Sequence, residues 1–227
     1  MARLPRLALA GHTHLVLLRA HGELAVFDDT ADRLMFLHAL RQAAADGAVQ
    51  VQVHAWALPP TAAWLLLTPA DAPALSRVMQ ALGRRFVAAW RQRHGGRGTL
   101  WDGRFRAAVL EPGPLRLAAL QWLDGLGAPH TPASATARGD GRGGAVGPGP
   151  ALHDPPEFWA LGNTPFEREA AWRARLAQGL PAAQVQALHD AALGGWALGS
   201  AAFAAEVAAL AQRPAQPRPR GRPRRTD

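Results

Sequence analysis

The chain of 227 residues has a formal net charge of +8, contains neither cysteine nor tyrosine, and draws all 25 of its basic side chains from arginine. The missing cysteines exclude disulfides, thiolate nucleophiles and Cys-ligated metal, so any metal would have to sit on His or carboxylate groups. With no run of about 18 apolar residues, and a short basic opening at Arg3 and Arg6 instead of a signal-peptide core, the expectation is a cytoplasmic protein that does not enter a membrane.

The positive charge is gathered in two islands on an otherwise acidic body. Residues 77–106 hold Arg77, Arg84, Arg85, Arg91, Arg93, Arg97, Arg104 and Arg106 against Asp102. Residues 213–227 hold Arg213, Arg218, Arg220, Arg222, Arg224 and Arg225 against Asp227. Clustered guanidinium groups suit phosphate oxygens, and the footprint points to a polyanionic partner; a merely solvated arginine face is the bland alternative.

Along the chain, residues 13–19 form a short apolar run expected to be a strand. Asp28 or Asp29 then caps a helix running to about Ala45, with Leu34, Leu37, Ala39 and Leu40 inward and Gly47 beyond its end. Val49, Val51, Val53 and Ala55 alternate with polar and bulky residues at the period of a strand with one buried face. Residues 63–68 and 105–111 predict two more strands. Between them, Leu75, Val78, Met79, Leu82, Phe86, Ala89 and Trp90 make one continuous helical stripe, with Arg77, Arg84 and Arg91 seven apart on another face.

A further apolar stretch covers 115–126. Residues 127–156 are dense in Gly, Pro, Ala and Ser and predict a flexible linker. Thr164-Pro165-Phe166-Glu167 is a capping box with proline at the first helical position, opening a helix to about Gln178. Pro181 and Ser200 open two more. The element order predicts an α+β fold: a ferredoxin-like split βαβ antiparallel sheet with helices on one face, plus a small C-terminal helical domain. The expected organisation is a sheet domain at 1–126, the linker at 127–156, the helical domain at 157–212 and a disordered arginine-rich tail at 213–227.

The segment His54-Ala55-Trp56-Ala57-Leu58-Pro59-Pro60-Thr61-Ala62-Ala63-Trp64, followed by Leu65 to Leu67, resembles a conserved stretch of the REP-associated tyrosine transposases, an HUH-type family. The resemblance continues through Leu82-Gly83-Arg84-Arg85-Phe86, Arg91-Gln92-Arg93-His94-Gly95 and Leu100-Trp101-Asp102-Gly103-Arg104-Phe105. Beyond the linker, Leu161-Gly162-Asn163-Thr164-Pro165, Gly194-Gly195-Trp196 and Arg220-Gly221-Arg222-Pro223-Arg224 are similar to the extension that some members carry. The resemblance implies a scaffold for DNA transposition. In that family two strand histidines hold a divalent ion, and a helix tyrosine attacks the DNA and keeps its end as a phosphotyrosine.

Here the two ligand positions are Ala62 and Trp64, and the nucleophile's place aligns with Leu115. Phe86 occupies another tyrosine position of the family. The resemblance therefore implies a degenerate member with no intact catalytic residue and no cofactor. Its partner would be single-stranded or hairpin DNA, with phosphate contacts from Arg77, Arg84, Arg85, Arg91, Arg93 and Arg104. The tail motif at Arg220 and Arg222 has the core of an AT-hook, in which glycine lets the backbone sit deep in a duplex minor groove.

Other chemistry was weighed against this. His12 and His14 share one strand face, and with His54 they could hold a divalent metal for a water-using nuclease; three histidines without a spaced acidic partner are weak evidence for it, and ordinary strand residues are the favoured reading. A nonbinding remnant of a transposase is the third possibility. Asp102 and Glu111, lying beside arginines, are expected in surface ion pairs. Trp90 falls on the apolar stripe and belongs in the core, while Trp101 fits either core packing or base stacking.

Overall fold

In the computed structural model, the residues described are 5–45, 47, 50–126 and 149–217. The first strand, β1 (Thr13–Arg19), leads to helix α1 (Thr30–Ala44), then to the hairpin β2 (Val51–Ala57) and β3 (Ala62–Pro69). Helix α2 (Ala72–His94) returns to β4 (Arg106–Leu110), and α3 (Pro114–Gly125) follows. After residue 148 come a short α4 (Pro156–Trp159), α5 (Pro165–Gln178), α6 (Ala182–Gly194), a two-residue β5 (Ala197–Leu198) and α7 (Ala201–Ala211).

The sheet order is β2-β3-β1-β4-β5. Its first four strands are mutually antiparallel, and β5 adds parallel to β4. This is the split βαβ arrangement expected from the element order. Helices α1 and α2, the crossovers of the two βαβ units, pack together over one face. Beneath them Phe27, Phe36 and Phe86 meet ring to ring, with centroids 5.1–5.7 Å apart. Local signals set both helices: the Asp29 side chain accepts from Asp32 N at 3.0 Å, and that of Asp71 accepts from Ala74 N at 2.7 Å. Gly95, at φ 70°, ends α2 in a conformation costly for other residues.

The opposite face is also covered. Leu15, Leu17, Trp64, Leu66, Ala108 and Leu110 point into a second core closed by α3 and by Phe158, Trp172, Leu188 and Ala192 of the later helices. Helix α6 lies across β4 and β1. The helices after residue 156 thus share a core with the sheet, which the expectation of a separate small helical domain did not include. The reason is the sheet itself: residues 15 and 17 of β1 and 64 and 66 of β3 are apolar on the side away from α1 and α2, and that surface must be buried.

This double coverage alters the reading of β2. The register shifts between Val53 and Ala55, so His54 is the extra residue of a bulge. Val53 and Trp56 therefore face the first core, whereas Ala55 and Ala57 face the second. Simple alternation had placed Val53 and Ala55 on one side; the inserted residue flips the face of everything after it.

Two further expectations are corrected. The end of the supposed linker is docked: Leu152 bridges Val53, and His153 N donates to Val53 O at 2.8 Å. Gly149 lies flat on Trp56, where a Cβ would sit 3.1 Å from the indole. An unpaired β2 edge attracts such a segment, because its main-chain polar groups need partners. At the other edge Ala197 N donates to Ala215 O at 2.8 Å, and Ala215 is buried against Leu7 and Phe203. Residues 213–217 thus belong to the fold and not to a disordered tail. Residues 127–148 of the linker and 218–227 of the tail, with Arg220 and Arg222, lie outside the described residues.

Candidate nucleic-acid interface

Helix α2 buries Leu75, Val78, Met79, Leu82 and Phe86, which directs the remaining positions outward. Its arginines then divide by what they touch. Arg77, at the first turn, donates to both oxygens of Asp71, at 2.8 and 3.1 Å. Arg93, at the last turn, spans to α1, meeting Asp29 at 2.5 Å and Asp32 at 2.5 Å. Asp32 is fully buried and also accepts from His94 at 2.7 Å and from Asp28 N at 3.2 Å. Hydrogen bonding from Arg93 holds the Asp29 carboxyl down at about 2. Arg77 thus closes the N-cap of its own helix and Arg93 clamps α2 to α1, so the expected phosphate roles of both meet carboxylates already in place.

Arg84 and Arg85 differ. Both are exposed at mid-helix, and neither makes an ion pair or hydrogen bond with another described residue. Arg91 is exposed and donates to the carbonyl of Gly98, which fixes the side chain without cancelling its charge. Arg104 is exposed ahead of β4 and likewise has no described partner. Of the row at 77, 84 and 91, then, two members keep uncompensated charge.

Trp90 donates from Nε1 to Val26 O at 3.1 Å and stacks on His94 at 4.5 Å, so it ties α2 to the segment before α1. Trp101 packs on Phe27 and Phe86, and its Nε1 is buried without a hydrogen-bond partner. Both rings serve the core. Asp102 pairs with Arg19, as expected of a surface carboxylate, and that guanidinium lowers its pKa. Glu111 pairs with no arginine among the described residues: it accepts from the Ser200 hydroxyl at 2.7 Å and the Ser200 N–H at 2.8 Å, tying β4 to the start of α7. Gly199 permits this, since a Cβ there would stand 2.6 Å from that of Glu111.

The positions matched to family catalytic residues carry packing. Trp64 is buried in the second core, edge-on to Trp122 at 4.8 Å and 5.6 Å from the His189 ring of α6. Ala62 packs at the margin of the same cluster, and Leu115 is half-buried in the first turn of α3. Phe86 is fully buried in the first core.

The three histidines are not brought together. His14 is buried under the first face, with Nδ1 donating to His12 O at 2.7 Å and Nε2 accepting from Leu9 N at 3.3 Å. Burial pushes its pKa down to about 4, so it is neutral at physiological pH. His54, placed by the bulge, points to the opposite face: Nδ1 donates to His153 O at 2.5 Å and Nε2 meets the Thr68 hydroxyl at 2.8 Å. His12 is half-buried and turned onto Ala10 O at 2.9 Å. Among the described residues no group of three His, Asp or Glu side chains is arranged to hold a metal ion.

Two groupings had no sequence signal. From His54 a polar chain runs through Thr68 to Thr13, 2.9 Å away, and reaches the Arg116 guanidinium at 3.5 Å. Arg116 pairs with Glu157 at 2.7 Å, joining α3 to α4. Burial alone would raise the Glu157 carboxyl; the Arg116 guanidinium and the Gly113 N–H outweigh it and hold the pKa below the usual range. The other grouping places Arg6 on the Phe105 ring at 3.9 Å and Arg213 over Trp196 at 5.5 Å.

No protein-family model and no curated protein matches this chain. Among solved structures, a REP-associated tyrosine transposase bound to a REP hairpin is similar to it at 18% identity and a TM-score of 0.44, over 54% of this chain and 70% of that one.

Proposed function

We propose that this chain binds single-stranded or hairpin DNA through the outer surface of α2, as a transposase-like protein without strand-transfer chemistry. The observation that carries the reading is the pair Arg84 and Arg85, outward-facing cations with no described partner on a rigid helix. Arg91 and Arg104 extend the surface, while Arg77 and Arg93 shape it through their carboxylates. Phosphate contact would supply the missing anions and release counterions from the nucleic acid. Arg220 and Arg222 act as auxiliary contacts to duplex minor groove. Covalent chemistry of the phosphotyrosine kind is outside the reach of these 227 residues, which include no tyrosine.

The test is binding and cleavage of a labelled DNA hairpin, its unstructured scramble and a duplex, at two salt concentrations, with and without magnesium or manganese. Salt-sensitive binding that prefers the hairpin, with the label left intact, is the expected result. Absent or salt-independent binding overturns it. Metal-dependent cleavage abolished by replacing His12, His14 and His54 with alanine would establish the nuclease reading instead.

A further inference from the structure

We propose that a cleft at the β4 edge of the sheet is a binding site for a phosphate group. The cleft has a volume of about 340 Å³ and is enclosed by the segment leading to β1, the start of β4 and the C-terminal end of α6. Arg6, Arg104, Arg106 and Arg213 line it. The carboxylate on its lining, Asp102, is engaged by Arg19.

The argument rests on how these arginines are held. Elsewhere in the fold Arg77, Arg93 and Arg116 face carboxylates, while Arg33, Arg91 and Arg168 each donate singly to a carbonyl. In the cleft the arginines are oriented by neutral groups. Arg6 Nε donates to Phe105 O at 3.3 Å, Arg106 donates to Leu193 O at 2.8 Å, and Arg213 donates to the carbonyls of Pro5 and Pro214. The Phe105 and Trp196 rings hold two of the planes flat. Each guanidinium has five N–H donors, so these contacts leave further donors without displacing any charge.

Like charges fixed around one concavity repel unless an anion joins them; among the described residues the one carboxylate on the lining, Asp102, is shared between Arg19 and Arg106 and leaves Arg6, Arg104 and Arg213 without one. The pKa of Arg6 is lowered by burial and then by Arg104, and that of Arg213 by burial, the direction expected of cations lacking a counter-charge. Planar forks preset by main-chain bonds match tetrahedral phosphate oxygens, which they can grip in pairs. A terminal phosphomonoester, inorganic pyrophosphate and a diester of a strand backbone share this chemistry. The site stands whether or not α2 binds DNA, because Arg6, Arg106 and Arg213 take no part in that reading.

The experiment is calorimetric titration of the full chain with pyrophosphate, then with 5′-phosphorylated and 5′-hydroxyl forms of one oligonucleotide. It is repeated on Arg6→Gln/Arg106→Gln and on Arg84→Gln/Arg85→Gln, with folding of each checked by denaturant unfolding. One pyrophosphate per chain is expected, weakened about tenfold or more by Arg6→Gln/Arg106→Gln and unchanged by Arg84→Gln/Arg85→Gln. Tighter binding of the 5′-phosphorylated strand identifies a terminal phosphate as the occupant. Equal binding of both strands, weakened by the cleft variant, identifies a backbone diester. The proposal is overturned if pyrophosphate does not bind, if it binds equally to a folded cleft variant, or if the α2 variant is the one that loses it. Hairpin binding that fails while pyrophosphate binding holds would overturn the DNA reading and leave the cleft standing.

Discussion

The two faces of the sheet are covered by layers of different kinds. Helices α1 and α2 are crossovers between neighbouring strands, they close the first face with apolar stripes, and α2 presents Arg84 and Arg85 outward without a described partner. The second face is closed by α3 and by helices that arrive only after residue 148, and the Trp64 and Trp122 rings meet edge-on within it. One layer keeps charge available; the other is hydrophobic core. The outward arginines and the buried tryptophans thus lie on opposite sides of one sheet.

The sharpest way to break that comparison is Trp64→Ala. Removing a buried indole should cost on the order of 4 kcal/mol in urea or guanidinium unfolding, with the salt dependence of hairpin binding unchanged in the folded fraction. A smaller cost would mean that the second layer is loosely applied. Next is Asp32→Ala, which strips the acceptor shared by Arg93, His94 and Asp28 N and should destabilise by roughly 3 kcal/mol. Denaturant midpoints measure it, and a neutral outcome would show that the α1–α2 clamp is dispensable.

Acid sharpens the comparison through His14. Its folded pKa, about 4, lies below its ordinary value of 6.5, so the unfolded chain takes up the proton first. Stability from this group is therefore complete above about pH 6.5, falls as the pH drops toward 4 by up to roughly 3 kcal/mol, and then levels off. Unfolding curves across that range should show the loss in the parent chain and a flatter profile in His14→Gln. The smallest expected effect on stability is that of Arg84→Gln/Arg85→Gln, within about 0.5 kcal/mol. The same pair should reduce the slope of log affinity against log salt for the hairpin by roughly 1.5 to 2, a change that Trp64→Ala must not reproduce.

The first layer was legible because its determinants are local. Asp29, Asp71 and Gly95 mark helix ends, and the stripe from Leu75 to Trp90 fixes which side of α2 is inward. The exposure of Arg84 and Arg85 follows from that stripe alone. The capping box at Thr164 and Glu167 was equally readable, and both of its hydrogen bonds are formed. What the chain order could not tell was where those later helices would lie, since docking depends on pairings such as Trp172 with Phe158 that have no spacing rule.

The candidate site was legible only in part for the same reason. An arginine in a basic block looks alike whether it faces solvent or Asp32, and the carboxylates that claim Arg77 and Arg93 come one from the next turn and the others from a different helix. The bulge at His54 carries no mark in the alternation of β2, yet it decides which face that histidine serves. Arg6 on Phe105 and Arg213 on Trp196 bring residues near the two ends of the chain to the starts of β4 and β5, beyond any local pattern.

The closure of the sheet at both edges sets an order in time as well as in space. His153 completes the hydrogen bonding of β2, and residues 197 and 215 complete the side of β4. A chain emerging from the ribosome therefore holds four strands with two open edges and a Leu15, Leu17, Trp64 and Leu66 surface covered only by α3 until its later helices are made. A product cut after residue 126 would be arrested at that stage, with surfaces prone to pair with other copies, so the residues from 149 onward are the part of the molecule that keeps the first 126 from self-association.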